Sequence, residues 1–173
     1  MSTLAVIVAL CTASPADVEA VRAWDPPDLT TETARANLEA ACAAAIETGQ
    51  DLGVLLFIAR HESHFRSNTR TPESGGRESC GVMTPVPRSR CYRQSLANQY
   101  LAGARHLAEW YGVYPGDDRG ALLGYAGGFR LVLSCAHHPL WRTRDGHRVD
   151  LCETWRLYRD GGAAVDALLE RAP

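Results

Sequence analysis

A mainly helical fold follows from three features of the 173-residue chain. Thr31–Thr48 is rich in Ala, Leu and Glu and stops at Gly49. Leu52–Ala59 is apolar nearly all round, the pattern of a helix running through a domain centre. Ser95–Tyr111 repeats apolar residues (Leu96, Tyr100, Ala104, Leu107 and Trp110) near one face, with Gly112 just beyond. The length fits one domain with a real core, and 46% hydrophobic with 22% charged residues is a globular composition.

The elements fall in order. Leu4–Leu10 is a short apolar run followed by small residues. It fits a secretory signal cut after Ala13 or Ala16, although no Lys or Arg precedes it, or a buried N-terminal helix or strand. Leu10 is too large for the position before a lipid-modified Cys11. No stretch reaches the roughly 20 apolar residues needed to span a bilayer, so stable membrane insertion is not expected. Residues 1–30 read as an N-terminal extension ending at the Asp25–Pro26–Pro27–Asp28 break, and 31–173 as a single domain. Asp51 is a candidate cap for the apolar helix, which carries Val54, Leu55, Leu56, Phe57 and Ile58 and ends at Glu62. Asn68–Ser79 is polar, and Gly81–Pro87 is interrupted by prolines; both predict loops or short strands. A shorter helix follows at Asp118–Tyr125, closed by Gly127–Gly128. A polar loop at Thr143–His147 and a terminal helix at Ala163–Arg171 complete the chain.

Six cysteines are many for a cytosolic domain of this size. Cys80 with Cys91 and Cys135 with Cys152 form two local pairs, and each closed loop would contribute about 3 kcal/mol by restricting the unfolded chain. That suits a protein working outside the cytoplasm. Cys42, in an Ala-rich helix, reads as an ordinary buried thiol. Cys135, His137, His138 and Cys152 have the donor types of a zinc site, but their spacing is irregular and favours a disulfide. The net charge of −2 excludes strong nonspecific attraction to nucleic acid.

Glu62 is the residue with the sharpest chemical reading, because a carboxylate at the end of so apolar a helix costs energy unless it is paired or reaches a cleft. The flanking His61-Glu62-Ser63-His64 does not make a zinc-peptidase signature: its histidines are three apart, whereas that motif sets them four apart. Four segments then occur in order: Ile58–Phe65; Gly81–Pro87; Ala102–Leu107; and Ala121–Gly128, which reads Ala-Leu-Leu-Gly-Tyr-Ala-Gly-Gly. Together they resemble the soluble lytic transglycosylase and goose-type lysozyme family, over residues 32 to 130.

The resemblance implies a lysozyme-like fold: a helical domain with a small loop and short-strand region lining the cleft. It also implies cleavage of the β-1,4 bond of peptidoglycan glycan strands without cofactor or metal. Glu62 would act as acid and then base, Ser63 would support it, Met83 would shape the wall, and Tyr125 would hydrogen-bond near the reacting sugar. Thr84 stands where the family has Gln and would contact substrate; Ala126 stands where it has Asn; and the stretch from Pro72 to Gly81 is longer than usual. One carboxyl suffices for a transglycosylase, whose substrate supplies its own nucleophile. Glu73 and Glu78 in the lengthened loop are candidates for a second carboxylate that would activate water, giving a hydrolytic lysozyme, or are solvated loop charges. A noncatalytic glycan-binding or particle-associated protein with this fold is the alternative from another class. Trp110, Trp141 and Trp155 are either sugar-stacking platforms or core. The expected location is periplasmic or secreted, or a phage particle; the sequence leaves the oligomeric state open.

Overall fold

The computed structural model describes residues 11–24, 29–72, 78–83, 94–137, 140–142 and 148–170. The described part is mainly helical: α1 (Pro15–Trp24), α2 (Thr31–Thr48), α3 (Leu52–Ser63), α4 (Leu96–Val113), α5 (Asp118–His137) and α6 (Thr154–Leu169), the last preceded by a 3-10 turn at Leu151–Glu153. Two antiparallel hairpins interrupt the helices. β1 (Arg70–Pro72) pairs with β2 (Glu78–Cys80), with Thr71 opposite Ser79, and β3 (Leu140–Arg142) pairs with β4 (Arg148–Asp150). Among the described residues no helix is long and apolar enough to cross a membrane.

Local sequence sets the helix ends. Thr30 Oγ1 accepts from the Thr33 N–H and starts α2, and Gly49 closes it at φ 70°, a left-handed conformation that glycine adopts without steric cost. Asp51 accepts from the Val54 N–H at 2.8 Å and starts α3, and Ser95 caps α4 in the same way. Helix α4 continues through Gly112 to Val113, two residues past the predicted end at Tyr111.

Leu55, Leu56, Ile58 and Ala59 of α3 are fully buried, as an all-round apolar helix requires. Around α3 the core gathers Leu38, Ala41 and Ala44 of α2, Tyr100, Ala104 and Leu107 of α4, Leu122 of α5, and Tyr158 and Val165 of α6. A buried polar tie joins α2 to α4: the Tyr100 hydroxyl donates to Asn37 Oδ1 at 2.9 Å, while Asn37 Nδ2 donates to the Thr33 carbonyl. Residues 11–24, which the sequence places in an extension, pack on this core through the fully buried Val18 and Val21, each worth about 1.5–3 kcal/mol of burial.

The structure corrects the sequence reading at three places. Cys42 is not a free thiol: it is bonded to Cys11, 31 residues earlier, which ties the segment before α1 to α2. A chain cut after Ala13 or Ala16 would lack Cys11. Gly128 does break α5 (φ 65°, ψ −168°), but helix resumes beyond it to His137. The terminal helix starts at Thr154, nine residues before the predicted start at Ala163, and runs straight through Gly161–Gly162. Close packing explains that helix. A Cβ at Gly161 would collide with the Phe57 ring, one at Gly53 with the Gly162 carbonyl, and one at Gly162 would stand 2.6 Å from Val54 Cγ2. The glycines let the backbones of α3 and α6 approach, and the packing gained outweighs their poor helix propensity of about 1 kcal/mol each.

Cys135 is bonded to Cys152, as the local spacing predicts. Cys80 is also disulfide-bonded; Cys91 lies outside the described residues.

Candidate functional site

The end of α3 presents Glu62, partly exposed, one position before the buried Ser63. The chain then reverses through two non-glycine residues in left-handed conformation, His64 (φ 51°) and Phe65 (φ 60°). The Phe65 N–H closes back on the Ala59 carbonyl at 3.3 Å. This conformation costs about 1–2 kcal/mol per residue. It persists here because Phe65 is 2% exposed and packs edge-on to Trp24, with ring centroids 6.1 Å apart.

The reversal brings the segment 81–83 against the helix end. Ser63 Oγ lies 2.8 Å from the Ala59 carbonyl and 2.6 Å from the Val82 carbonyl, its one proton shared between them. The Val82 N–H donates to Gln99 Oε1 of α4 at 2.9 Å, and Gly81 (φ 88°) gives room for that amide, since a Cβ there would lie 2.9 Å from the same oxygen. The Tyr125 hydroxyl of α5 donates to the Met83 carbonyl at 2.7 Å. Met83 itself packs on Gly103 of α4, where a Cβ would lie 2.6 Å from its sulfur.

Tyr158 of α6 completes the cluster by donating its hydroxyl to Glu62 Oε1. It is 2% exposed, and burial, then the charge of Glu62 and their hydrogen bond, push its phenol far above the usual tyrosine range. It is therefore a neutral donor at any working pH. The Tyr125 phenol is raised as well, by burial first and then by Glu62. The ring of Tyr158 is held edge-on by Phe57 at 6.2 Å and by His61 at 5.5 Å.

These contacts join the sequence-derived candidates Glu62, Ser63, Met83 and Tyr125 in one place and give some of them particular positions. Ser63 and the Met83 side chain are buried: the first ties backbone to backbone, and the second fills space under α4. Thr84 and Glu73 lie outside the described residues, as does the side chain of Glu78, whose backbone pairs with Pro72 in the β1–β2 hairpin. Trp110 packs over Gly124 and donates from Nε1 to His106 Nε2 at 3.3 Å. Trp155 is partly buried beneath the guanidiniums of Arg159, 4.4 Å away, and Arg156, 5.7 Å away. The side chain of Trp141 is outside the described residues. Sequence reasoning missed Tyr158 because it lies in the part of α6 that precedes the predicted helix start at Ala163. The apolar spacing of Tyr158, Gly162 and Val165 was the available signal.

Two surface recesses lie elsewhere. One of about 240 Å³ is lined by Gly49, Gln50, Asp51, Val54, Leu107 and Tyr111, at the opposite end of α3 from Glu62. Another of about 370 Å³ borders Arg119, Gly120 and Cys135. Among the described residues no group of three or more His, Cys, Asp or Glu side chains is arranged to hold a metal ion.

Comparison with protein-family models, with curated proteins and with solved structures gave no match to this chain.

Proposed function

We propose that the protein is a peptidoglycan lytic transglycosylase of the lysozyme-like kind, acting outside the cytoplasm, with Glu62 as its catalytic acid and base. The observation that carries this reading is convergence. The four segments that resemble the family lie far apart in sequence, yet they are joined beside the end of α3 that carries Glu62: Ser63 from the first, Val82 and Met83 from the second, Gly103 beneath Met83 from the third, and Tyr125 from the fourth. The disulfides Cys11–Cys42 and Cys135–Cys152, with Cys80 also disulfide-bonded, suit an oxidising compartment.

In this reading the Tyr158 hydroxyl fixes the orientation of the Glu62 carboxyl, and Tyr125 fixes the 81–83 turn beside it. Glu62 gives its proton to the glycosidic oxygen as the bond from the muramoyl C1 breaks. The C6 hydroxyl of that sugar then attacks C1, and the Glu62 carboxylate takes the hydroxyl proton back. The products are a 1,6-anhydromuramoyl end and a free 4-hydroxyl on the departing sugar, with no water consumed. Glu62→Gln keeps the shape and the hydrogen bond to Tyr158 but has no proton to give. Release of soluble muropeptides from purified sacculi should fall at least a thousandfold, roughly the larger end of general acid–base contributions or beyond. Lysis by a folded Glu62→Gln protein would reject the assignment.

A further inference from the structure

The break in α5 brings together two side chains that the sequence sets far apart. Along an unbroken helix the 16 residues from Arg119 to Cys135 would span about 24 Å. Gly128 (φ 65°, ψ −168°) interrupts that path, and Arg119 Nη2 donates to Cys135 Sγ at 2.7 Å. Cys135 is 5% exposed and is bonded to Cys152, which is partly exposed. One sulfur of this disulfide therefore has a cation beside it, and the other belongs to the residue nearer solvent. The Asp117 carboxylate borders the same recess but accepts from the Gly120 N–H at 3.1 Å. Among the described residues no guanidinium bonds to a sulfur of Cys11–Cys42.

The other end of the bond holds the start of α6. Cys152 lies in the 3-10 turn directly before that helix, and its N–H donates to Asp150 Oδ1 at 2.8 Å. Glu153, at the N-cap position, makes no side-chain capping bond, unlike Thr30, Asp51 and Ser95 on α2, α3 and α4. The bond to Cys135 is thus the covalent anchor of a helix start that its own sequence does not cap. Tyr158, the donor to Glu62, is in the second turn of this helix.

The geometry points to Cys135–Cys152 as an exchangeable disulfide, opened by a dithiol and closed again by a disulfide, that sets whether the start of α6 holds Tyr158 against Glu62. A thiolate of the dithiol attacks Cys152 Sγ. A new S–S bond forms there as the Cys135–Cys152 bond breaks, and the electron pair leaves on Cys135 Sγ, where the Arg119 guanidinium stabilises it. The second thiolate of the dithiol then attacks the first, closing a disulfide in the reductant and releasing Cys152. Two electrons pass from the dithiol to the two cysteines, and its two protons go to them or to solvent. The recess of about 370 Å³ bordering Arg119, Leu123, Val132 and Cys135 lets the released Cys135 sulfur part from Cys152 while staying beside the guanidinium. Only the consequence for catalysis at Glu62 rests on the proposed cleavage reading.

The test uses the full oxidised chain, limiting dithiothreitol as the dithiol, and peptide mapping after alkylation of the thiols released. Cys135 and Cys152 should become alkylated about tenfold faster than Cys11 and Cys42. Arg119→Gln should slow that opening about tenfold. A packing role for Arg119 predicts the opposite sign, because loosening around Cys135 would expose the bond and speed its reduction. In protein opened only at Cys135–Cys152, circular dichroism should keep the helix content while amide hydrogen exchange over Thr154–Arg159 quickens about tenfold. Muropeptide release should fall about tenfold, and both changes should reverse when glutathione disulfide closes the bond. Opening no faster than at Cys11–Cys42, no slowing in Arg119→Gln, unchanged exchange at the start of α6, or global loss of helix on opening overturns the inference. Failure of the cleavage reading is distinct: if the oxidised wild-type protein releases no muropeptides, thiol mapping and hydrogen exchange still decide the disulfide.

Discussion

Replacing Gly162 by alanine separates helix propensity from helix packing, because the two predict opposite signs. Alanine is the better helix former by about 1 kcal/mol, and Gly162 lies inside α6. Its Cβ, however, would stand 2.6 Å from Val54 Cγ2 and 2.9 Å from the Val54 Cα and N, where ordinary contact begins at 3.4 Å. A side-chain methyl can swing aside, but the backbone of α3 cannot. The two helices must separate by several tenths of an ångström along the crossing that holds Phe57 and Tyr158. Overpacking of this kind costs about 1–3 kcal/mol, so the net loss after the propensity gain is up to about 2 kcal/mol. For a chain of this length that lowers Tm by up to about 8 °C. Muropeptide release should fall too, since Tyr158 is one turn away on the same helix and would withdraw from Glu62. Gly53→Ala, which meets the Gly162 carbonyl, should do the same. Gly112→Ala is the control: a Cβ there meets nothing within 4 Å, and Tm should rise by about 1–3 °C. Differential scanning calorimetry of the three variants reads all of this. A Gly162→Ala protein at least as stable as wild type would refute the account of the α3–α6 crossing.

Three further outcomes follow from other contacts. Tyr158→Phe keeps the ring between Phe57 and His61 but removes the donor to Glu62. A hydrogen bond to a charged group is worth about 1.5–3 kcal/mol, so turnover should fall about tenfold to a hundredfold; unchanged turnover would leave Tyr158 as packing alone. Cys11→Ala with Cys42→Ala opens a 31-residue separation and should cost about 3–4 kcal/mol in urea unfolding, and two free thiols at these positions in the wild-type protein would contradict the pairing. The Asp166 carboxyl is held above the ordinary aspartate range by burial, then by the charge and hydrogen bond of Asp51, against the opposing Gly53 N–H and with the help of Glu170. Because the folded value lies above the unfolded one, its stabilisation is complete below about pH 3.9 and is lost as pH rises through the folded value. Asp166→Asn should therefore raise Tm by about 1–3 °C at neutral pH and not at pH 3, and an unchanged Tm–pH profile would show that the pair is not coupled.

Helices α2, α3 and α4 were legible because their signals are local: Thr30, Asp51 and Ser95 cap their starts, and Gly49 closes α2 in the left-handed conformation. The same kind of signal failed for α6. Gly161 and Gly162 look like a break when read one helix at a time, and they make sense only against Phe57 and Val54 of α3, more than a hundred residues earlier. Glu62 stood out from its apolar helix, but its partner Tyr158 is 96 residues away, and nothing in the local pattern of either residue names the other. Cys42 was misread for a related reason. Its partner Cys11 is brought near by the packing of α1 on α2, which spacing does not report.

Mass spectrometry of the soluble products from purified peptidoglycan tests the central claim most directly, because it reports cleavage and reaction type together. The account predicts muropeptides with 1,6-anhydromuramoyl ends, made by the wild-type protein and lost in Glu62→Gln. Ends heavier by one water would show that water, not the C6 hydroxyl, is the nucleophile, and would direct the search to Glu73 and Glu78 as the second carboxylate. The absence of any soluble product from a folded protein would contradict the assignment of Glu62 as a catalytic acid altogether.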